Sequence, residues 1–442
     1  MKKKGRIRAK LVIKKLSVFI KPPENRSGKT VKFFIALAAF LALISLLDVG
    51  FLPESVLAQQ GFKWGRAEVH PGVAFEAKYD DNVFYNADKM FANGTSEVAQ
   101  EDFIFTVSPS LVIEQKRLKG DNFGFFIQYL GKDERFVDLN EQDFFSHDVS
   151  AHLELGDVGG DLNWTLGGQF LNTRFPISVE FASNLDPREE RTTYNLDSNL
   201  LWQMTHDIEA DIRAKFSRNL FTDDLQEFDQ YNGSSTFFWQ TTALTAIGVN
   251  YSAQHVDYME RSTINFDNFA YSGSLVFKWN PLSVFSSEFW IGYNKMNIFG
   301  LTGQNRDDVI YKVQLKYQPK TTRSWMLTSF REIPNSFFQG IQAFQRTVVE
   351  LKLDQQLGDK WEGLSIISFE INEYDIAAQD VTGGGAFKFR KDEYFSGLLS
   401  LTYSIQDWWD VIMEYSYTTN DSNFDDTDYS KNVVFLRTAF TL

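Results

Sequence analysis

The chain has 442 residues, with 58 acidic against 44 basic side chains, five histidines and no cysteine. Ten prolines beside 42 Phe, 17 Tyr and 10 Trp favour strands, because aromatic rings suit pleated surfaces and proline interrupts their ladders. A hydrophobic share of 43% excludes a bundle of membrane helices, each of which needs ~20 consecutive apolar residues, and the aromatics exclude a disordered chain. Absence of cysteine excludes disulfide frameworks, zinc–cysteine sites and thiol chemistry, and the acidic balance argues against a nucleic-acid partner.

Residues 1–32 hold 12 of the basic side chains, among them Lys2, Lys3, Lys4, Arg6 and Arg8. An apolar run from Phe33 to Leu47 follows, then a small-residue exit, Val56-Leu57-Ala58. Basic region, short apolar core and exit together predict a signal peptide over 1–58, cleaved after Ala58, rather than a retained membrane anchor. The basic region is long for such a peptide, and a start codon assigned too early would account for residues 1–30. Removing 1–58 takes away 12 basic and three acidic residues and leaves 32 against 55, a net charge of −23. Residues 59–67 are then expected to form a periplasmic N-terminal tail, and 68–442 the body of the mature protein, an outer-membrane β-barrel on the pattern that follows.

From residue 68 onward one pattern recurs: about ten alternating residues, a short break, about ten more, a longer polar break. In 208–216, Ile208, Ala210, Ile212, Ala214 and Phe216 alternate with Glu209, Asp211, Arg213 and Lys215, a strand between two opposite environments. Such segments fall near 68–79, 103–115, 122–131, 144–155, 162–172, 191–203, 207–217, 228–239 and 243–254. They continue near 266–279, 284–294, 308–318, 323–331, 345–357, 361–373, 392–405, 408–419 and 430–442. Breaks after even-numbered segments are short, such as Asn280-Pro281 and Gln406-Asp407, and those after odd-numbered ones are mostly long, such as 80–102, 173–190 and 374–391. All short turns therefore lie at one end. Trp202, Trp239, Trp279, Trp361 and Trp409 sit near that end on the apolar face, as in an interfacial girdle. The pattern predicts an all-β, transmembrane, antiparallel up-and-down barrel of about 18 strands (16–18), with short periplasmic turns and long extracellular loops. A soluble sandwich or propeller would carry charge, not aromatics, on its outer face.

Glu68-Val69-His70-Pro71-Gly72, leading to Tyr79-Asp80-Asp81-Asn82-Val83-Phe84, resembles the opening of the outer-membrane β-barrel porin family associated with exopolysaccharide gene clusters. Phe105-Thr106-Val107-Ser108-Pro109-Ser110-Leu111 is similar to that family's second strand. These motifs cover about 45 residues, while the barrel layout fits 68–442. The resemblance implies an outer-membrane location and a transport role. The last segment, with Val434, Leu436, Phe440 and Leu442 on one face and Thr438 interrupting it, resembles the signal read by the barrel-assembly machinery, with Leu where Phe is usual.

Candidate chemistry is sparse. Asp148, Ser150 and His152 share the inward parity of 144–155, but side chains in line on one strand stand ~7 Å apart in parallel, whereas a triad needs convergence. His70, His147, His206 and His255 lack metal-ligand spacing. Asp80-Asp81-Asn82, Asp223-Asp224 and Asp425-Asp426-Thr427-Asp428 are oxygen-rich but form no calcium loop, and Gly383-Gly384-Gly385 has no strand-to-helix context. Pro109 predicts a bulge or local break in the second segment. Catalytic, metal and cofactor sites are accordingly not expected.

Parity points Glu76, Lys78, Asp197, Glu209, Asp211, Arg213, Lys215, Lys312, Lys316, Glu350, Lys352, Asp354, Asp410, Glu414 and Arg437 into a lumen. Eight acids against seven bases are nearly balanced, so acidic loops at the mouth would set a mild cation preference. The loop 173–190, with apolar Phe175 and Phe181 before Asp186, Arg188 and Glu189, is expected to narrow the pore. The first functional reading is a porin-like passive channel for small polar solutes or polysaccharide. The second is a structural or interaction barrel whose acidic loops matter most, and a barrel enzyme comes third. Expected partners are outer-membrane lipid, the assembly machinery and the solute.

Overall fold

Each of the eighteen alternating segments folds into a strand, and all eighteen join one sheet. The computed structural model describes residues 62–441 apart from 88, 91–95, 119–120, 175–187, 223–226, 260–265, 300–304, 337–342, 380–386 and 425–426. In chain order the barrel strands are β1 (Ala67–Asp80), β2 (Asp102–Gln115), β3 (Phe123–Phe136), β4 (Phe144–Leu155), β5 (Leu162–Thr173) and β6 (Arg191–Gln203). Next come β7 (Ile208–Phe221), β8 (Phe228–Thr242), β9 (Thr245–Tyr258), β10 (Asn268–Leu282), β11 (Phe285–Ile298) and β12 (Arg306–Lys320). The last six are β13 (Arg323–Glu332), β14 (Gln345–Gln356), β15 (Trp361–Gln379), β16 (Phe387–Gln406), β17 (Trp409–Ser422) and β18 (Tyr429–Thr441). No α-helix occurs among the described residues.

Every strand pairs antiparallel with its neighbours in sequence, and β18 returns to β1 through a ladder from Gly72↔Thr441 to Asp80↔Val433. The sheet therefore has no free edge, the only way a sheet can satisfy its backbone in hydrocarbon. The tail contributes a further short strand, Phe62–Trp64, paired with β1 below the point where the β18 ladder begins. Pro71 falls in the gap between those two ladders, so its missing N–H costs no ladder bond on that side.

Pro109 interrupts the β2–β3 ladder at two positions, between Val107↔Asp133 and Ser110↔Leu130, without changing its register. A break forms, and no bulge. Gly131 stands opposite: a Cβ there would meet the Pro109 ring at 3.1 Å and the Phe145 ring at 2.9 Å. The turns differ slightly from expectation. Asn280-Pro281 lies inside the end of β10, at a register shift between Trp279 and Leu282, and the turn itself is Ser283-Val284. The two-residue turns before β9, β13 and β17 are likewise each preceded by a register shift. A bulge adds twist just where the strand must reverse.

Candidate functional site

The two faces of the sheet follow from the register. Passing parity through every ladder keeps Ile208, Ala210, Ile212, Ala214 and Phe216 on one face with Phe237, Leu275, Ile291 and Leu351, and large apolar members of this face are exposed. On the other face, charged side chains of non-adjacent strands meet. Lys78 on β1 and Lys132 on β3 lie 3.4 and 3.2 Å from the Glu134 carboxylate on β3, so the first of these contacts passes over β2. Only a concave surface lets side chains converge in this way. The apolar face is the outside.

The outside has a constant height. On β7 it runs from Ile208 to the first charge, Arg218; on β3 from Phe123 to Asp133; on β11 from Phe285 to Lys295; on β12 from Tyr317 to Asp307. Ten residues at ~3.3 Å, tilted by ~40°, span ~25 Å, the height of an outer-membrane apolar band. Above it the outer charges pair, Arg218 with Asp229 at 2.6 Å and Arg135 with Asp133 at 2.9 Å. At the turn end stands the Trp girdle, and the structure adds Trp164 and Trp325 to the five seen in sequence. Trp409 differs in being buried, stacked on Phe440 with its indole N–H donating to Thr438 Oγ1 at 2.7 Å. Thr438 interrupts the apolar face because it accepts that bond.

All fifteen residues assigned to the lumen from parity lie on the concave face. Several are neutralised in place: Arg437 reaches Glu76 at 2.5 Å, Arg213 reaches Asp211 at 2.5 Å, Lys352 reaches Asp354 at 3.5 Å, and Lys312 reaches Glu288 at 3.6 Å. Asp148 accepts from Gln169 at 2.9 Å; Gln169 accepts from Asn195 at 3.1 Å; Asn195 accepts from Ser217 at 2.6 Å. A chain of hydrogen bonds thus crosses four strands. Asp148 is committed to it rather than to His152, whose ring stands beside Phe126 with centroids 6.2 Å apart. Ser150, His152 and Asp148 make no triad.

Toward the loop end the inner face becomes buried. Along β7, Arg213 and Lys215 are exposed while Ser217 and Asn219 are covered. Across the barrel, the Arg390–Asp392 pair (2.7 Å) is fully covered, with Tyr394 and Ser422 donating to Asp392 at 3.3 and 2.6 Å. Among the described residues, parts of several connections pack into this half. After β1, Val83 and Phe84 pack on the inward side chains Ile104 and Phe136. After β13, Ile333 and Ala343 pack on inward Met296 and Ile298 of β11 and Ala270 of β10, two and three strands away.

Of the expected constriction loop, Phe175, Phe181 and Asp186 lie outside the described residues. Arg188 is placed: its guanidinium lies 3.3 Å from Glu134 and over the Phe136 ring at 4.8 Å, against the inner wall of β3. Glu189 lies between it and β6. Among the acidic clusters, Asp80 is taken by Lys431 at 2.9 Å and Asp81 by Asn432, leaving neither aimed at an ion; Asp223-Asp224 and Asp425-Asp426 lie outside the described residues. The ladder brings together what spacing did not: Glu68 faces Glu114 across β1–β2, with His70 Nε2 3.8 and 3.7 Å from them. These three could hold a metal ion, but Lys116, 3.0 Å from Glu114, already takes one of the two carboxylates.

The class is thereby fixed: an eighteen-strand transmembrane β-barrel with an apolar outer band and a polar lumen. No family model matches the chain, and no curated protein matches it. Among solved structures it is similar to the outer membrane protein OpdK of Pseudomonas aeruginosa, at 9% identity and a TM-score of 0.47 over 85% of this chain and 99% of that one. OccK2 (OpdF) of the same organism gives 11% and 0.47 over 87% and 100%. The FrpB iron transporter of Neisseria meningitidis gives 10% and 0.45 over 84% of this chain, which spans 64% of that one.

Proposed function

We propose that this protein is a porin-like passive channel of the bacterial outer membrane, with its turns in the periplasm and its longer loops outside. The observation that carries the reading is the pairing of a closed eighteen-strand wall with a charged, partly ion-paired inner face. A barrel of this size is too wide for side chains to fill at its waist. Arg213 and Lys215 stay exposed there, as residues beside water would. Residues 1–58 direct export and are removed, and the assembly machinery inserts the barrel. The cargo is a small polar solute; the exopolysaccharide connection implied by the family resemblance is the specific version of that cargo. Planar-bilayer recording of the refolded protein tests the channel.

A second reading is favoured by one feature, the burial of the inner face toward the loops, including Asn372 and Asp392. On that reading the barrel is closed and its acidic loops engage a partner. The same recording separates the two. N-terminal sequencing of protein from outer membranes tests cleavage after Ala58.

A further inference from the structure

Three consecutive strands, β8 to β10, line the lumen almost without charge. Their inward positions include Gln230, Asn232, Ser234, Thr236, Asn250, Ser252, Gln254, Ser272 and Ser274, and the single inward charge, Lys278, lies at the turn end 3.5 Å over the Phe238 ring. In this wall is a recess of about 180 Å³, bordered by Asn232, Ser252, Gln254 and Asn294. Ile333 borders it from the other side, carried there by the connection after β13 and held by Ala270 and Met296. Arg213 and Lys215 stand at one edge, the first neutralised by two hydrogen bonds to Asp211. Asn294 Oδ1 is shielded from solvent and has no hydrogen-bond partner among the described residues.

We propose that this recess binds one ring of a small uncharged polyol, with hydroxyls on the amide and hydroxyl wall and a C–H face under Ile333. The inference rests on the channel reading for its role but not for its chemistry. Amides and hydroxyls both donate and accept, as a hydroxylated ring requires, and an apolar side chain covers the face that has no hydroxyls. A sugar acid would need more cation than one exposed lysine at the edge. A simple cation would find no carboxylate lining the recess.

The test is calorimetry on the detergent-folded full-length barrel, with methyl β-D-glucoside as the uncharged probe and gluconate as the anionic one. Saturable binding of the glucoside is expected, weakened about tenfold in the Asn294→Ala/Gln254→Ala double variant, which removes two hydrogen-bonding side chains. Asp359→Asn, in a turn far along the chain from these residues, should bind as the parent does and controls for folding, as does heat-modified electrophoretic mobility. No glucoside binding by the folded parent overturns the proposal. So does equal binding by the folded double variant, or tighter binding of gluconate than of glucoside. Binding without ionic conductance would leave the subsite standing and remove the channel; conductance without binding would do the reverse.

Discussion

Ile212 and Arg213 are adjacent in sequence and face opposite solvents, Ile212 in the outer band and Arg213 in the lumen against Asp211. Ile212→Arg should destabilise the barrel by ~2–4 kcal/mol, the cost of a charge near mid-membrane. Arg213→Ala should cost little, because its site remains hydrated. Denaturant titration in lipid vesicles reads both, and equal effects would reverse the two faces. Alternation made these residues legible, since period two survives wherever lipid and water face each other across one strand. It fails at Lys132 and Glu134: with Asp133 and Arg135 charged on the outer side, the pattern vanishes, and alternation alone ends the third segment at 131. Asn294 and Gln254 were invisible for another reason. A single uncharged polar residue in a strand carries no signal until the register shows what it faces.

Strands were legible wherever they cross the band, and their extensions were not. β3 continues to Phe136, β15 to Gln379, and β16 begins at Phe387, all beyond the apolar band, where outer positions such as Asp133, Arg135, Glu373 and Lys391 are charged and the alternation is lost. The Tyr79-Asp80-Asp81-Asn82-Val83-Phe84 motif was recognisable as distinctive but gave no hint of its work, which depends on the other end of the chain. Asp81 accepts from the Asn432 backbone at 2.6 Å and from its amide at 2.8 Å, Asn82 donates to the Ser430 carbonyl at 3.0 Å, and Asp80 pairs with Lys431. Tyr85, in the left-handed region at φ 58°, lies beneath the Lys431 ammonium and edge-on to Tyr429. The motif clasps the last strand to the first. Asp81→Ala should therefore weaken closure at the loop end of the β18–β1 seam, by ~1–3 kcal/mol for two lost hydrogen bonds to a charged acceptor. Hydrogen exchange at 430–434 should rise in the variant, and unchanged exchange there would remove the clasp.

For the whole molecule, strand number, closure and the segregation of short turns from long loops could all be read from the sequence; the inward course of the connections after β1 and β13 could not, because their contacts join positions up to hundreds of residues apart. Sidedness predicts that protease added to intact cells cuts only in the long connections, such as that between β15 and β16, and spares the turn at Ser283-Val284. Cutting at that turn in intact cells would invert the assignment. The fifteen lumen charges are nearly balanced, so selectivity should come from the acidic mouth: a mild cation preference at low salt that fades as the screening length shortens from ~30 Å at 0.01 M to ~10 Å at 0.1 M. Anion selectivity at low salt would contradict that origin. Single-channel recording of the refolded protein in a planar bilayer tests the central claim most directly. Stable stepwise current through a wall of this size is the predicted result, and membranes that hold folded barrel yet pass no current in either orientation would contradict it.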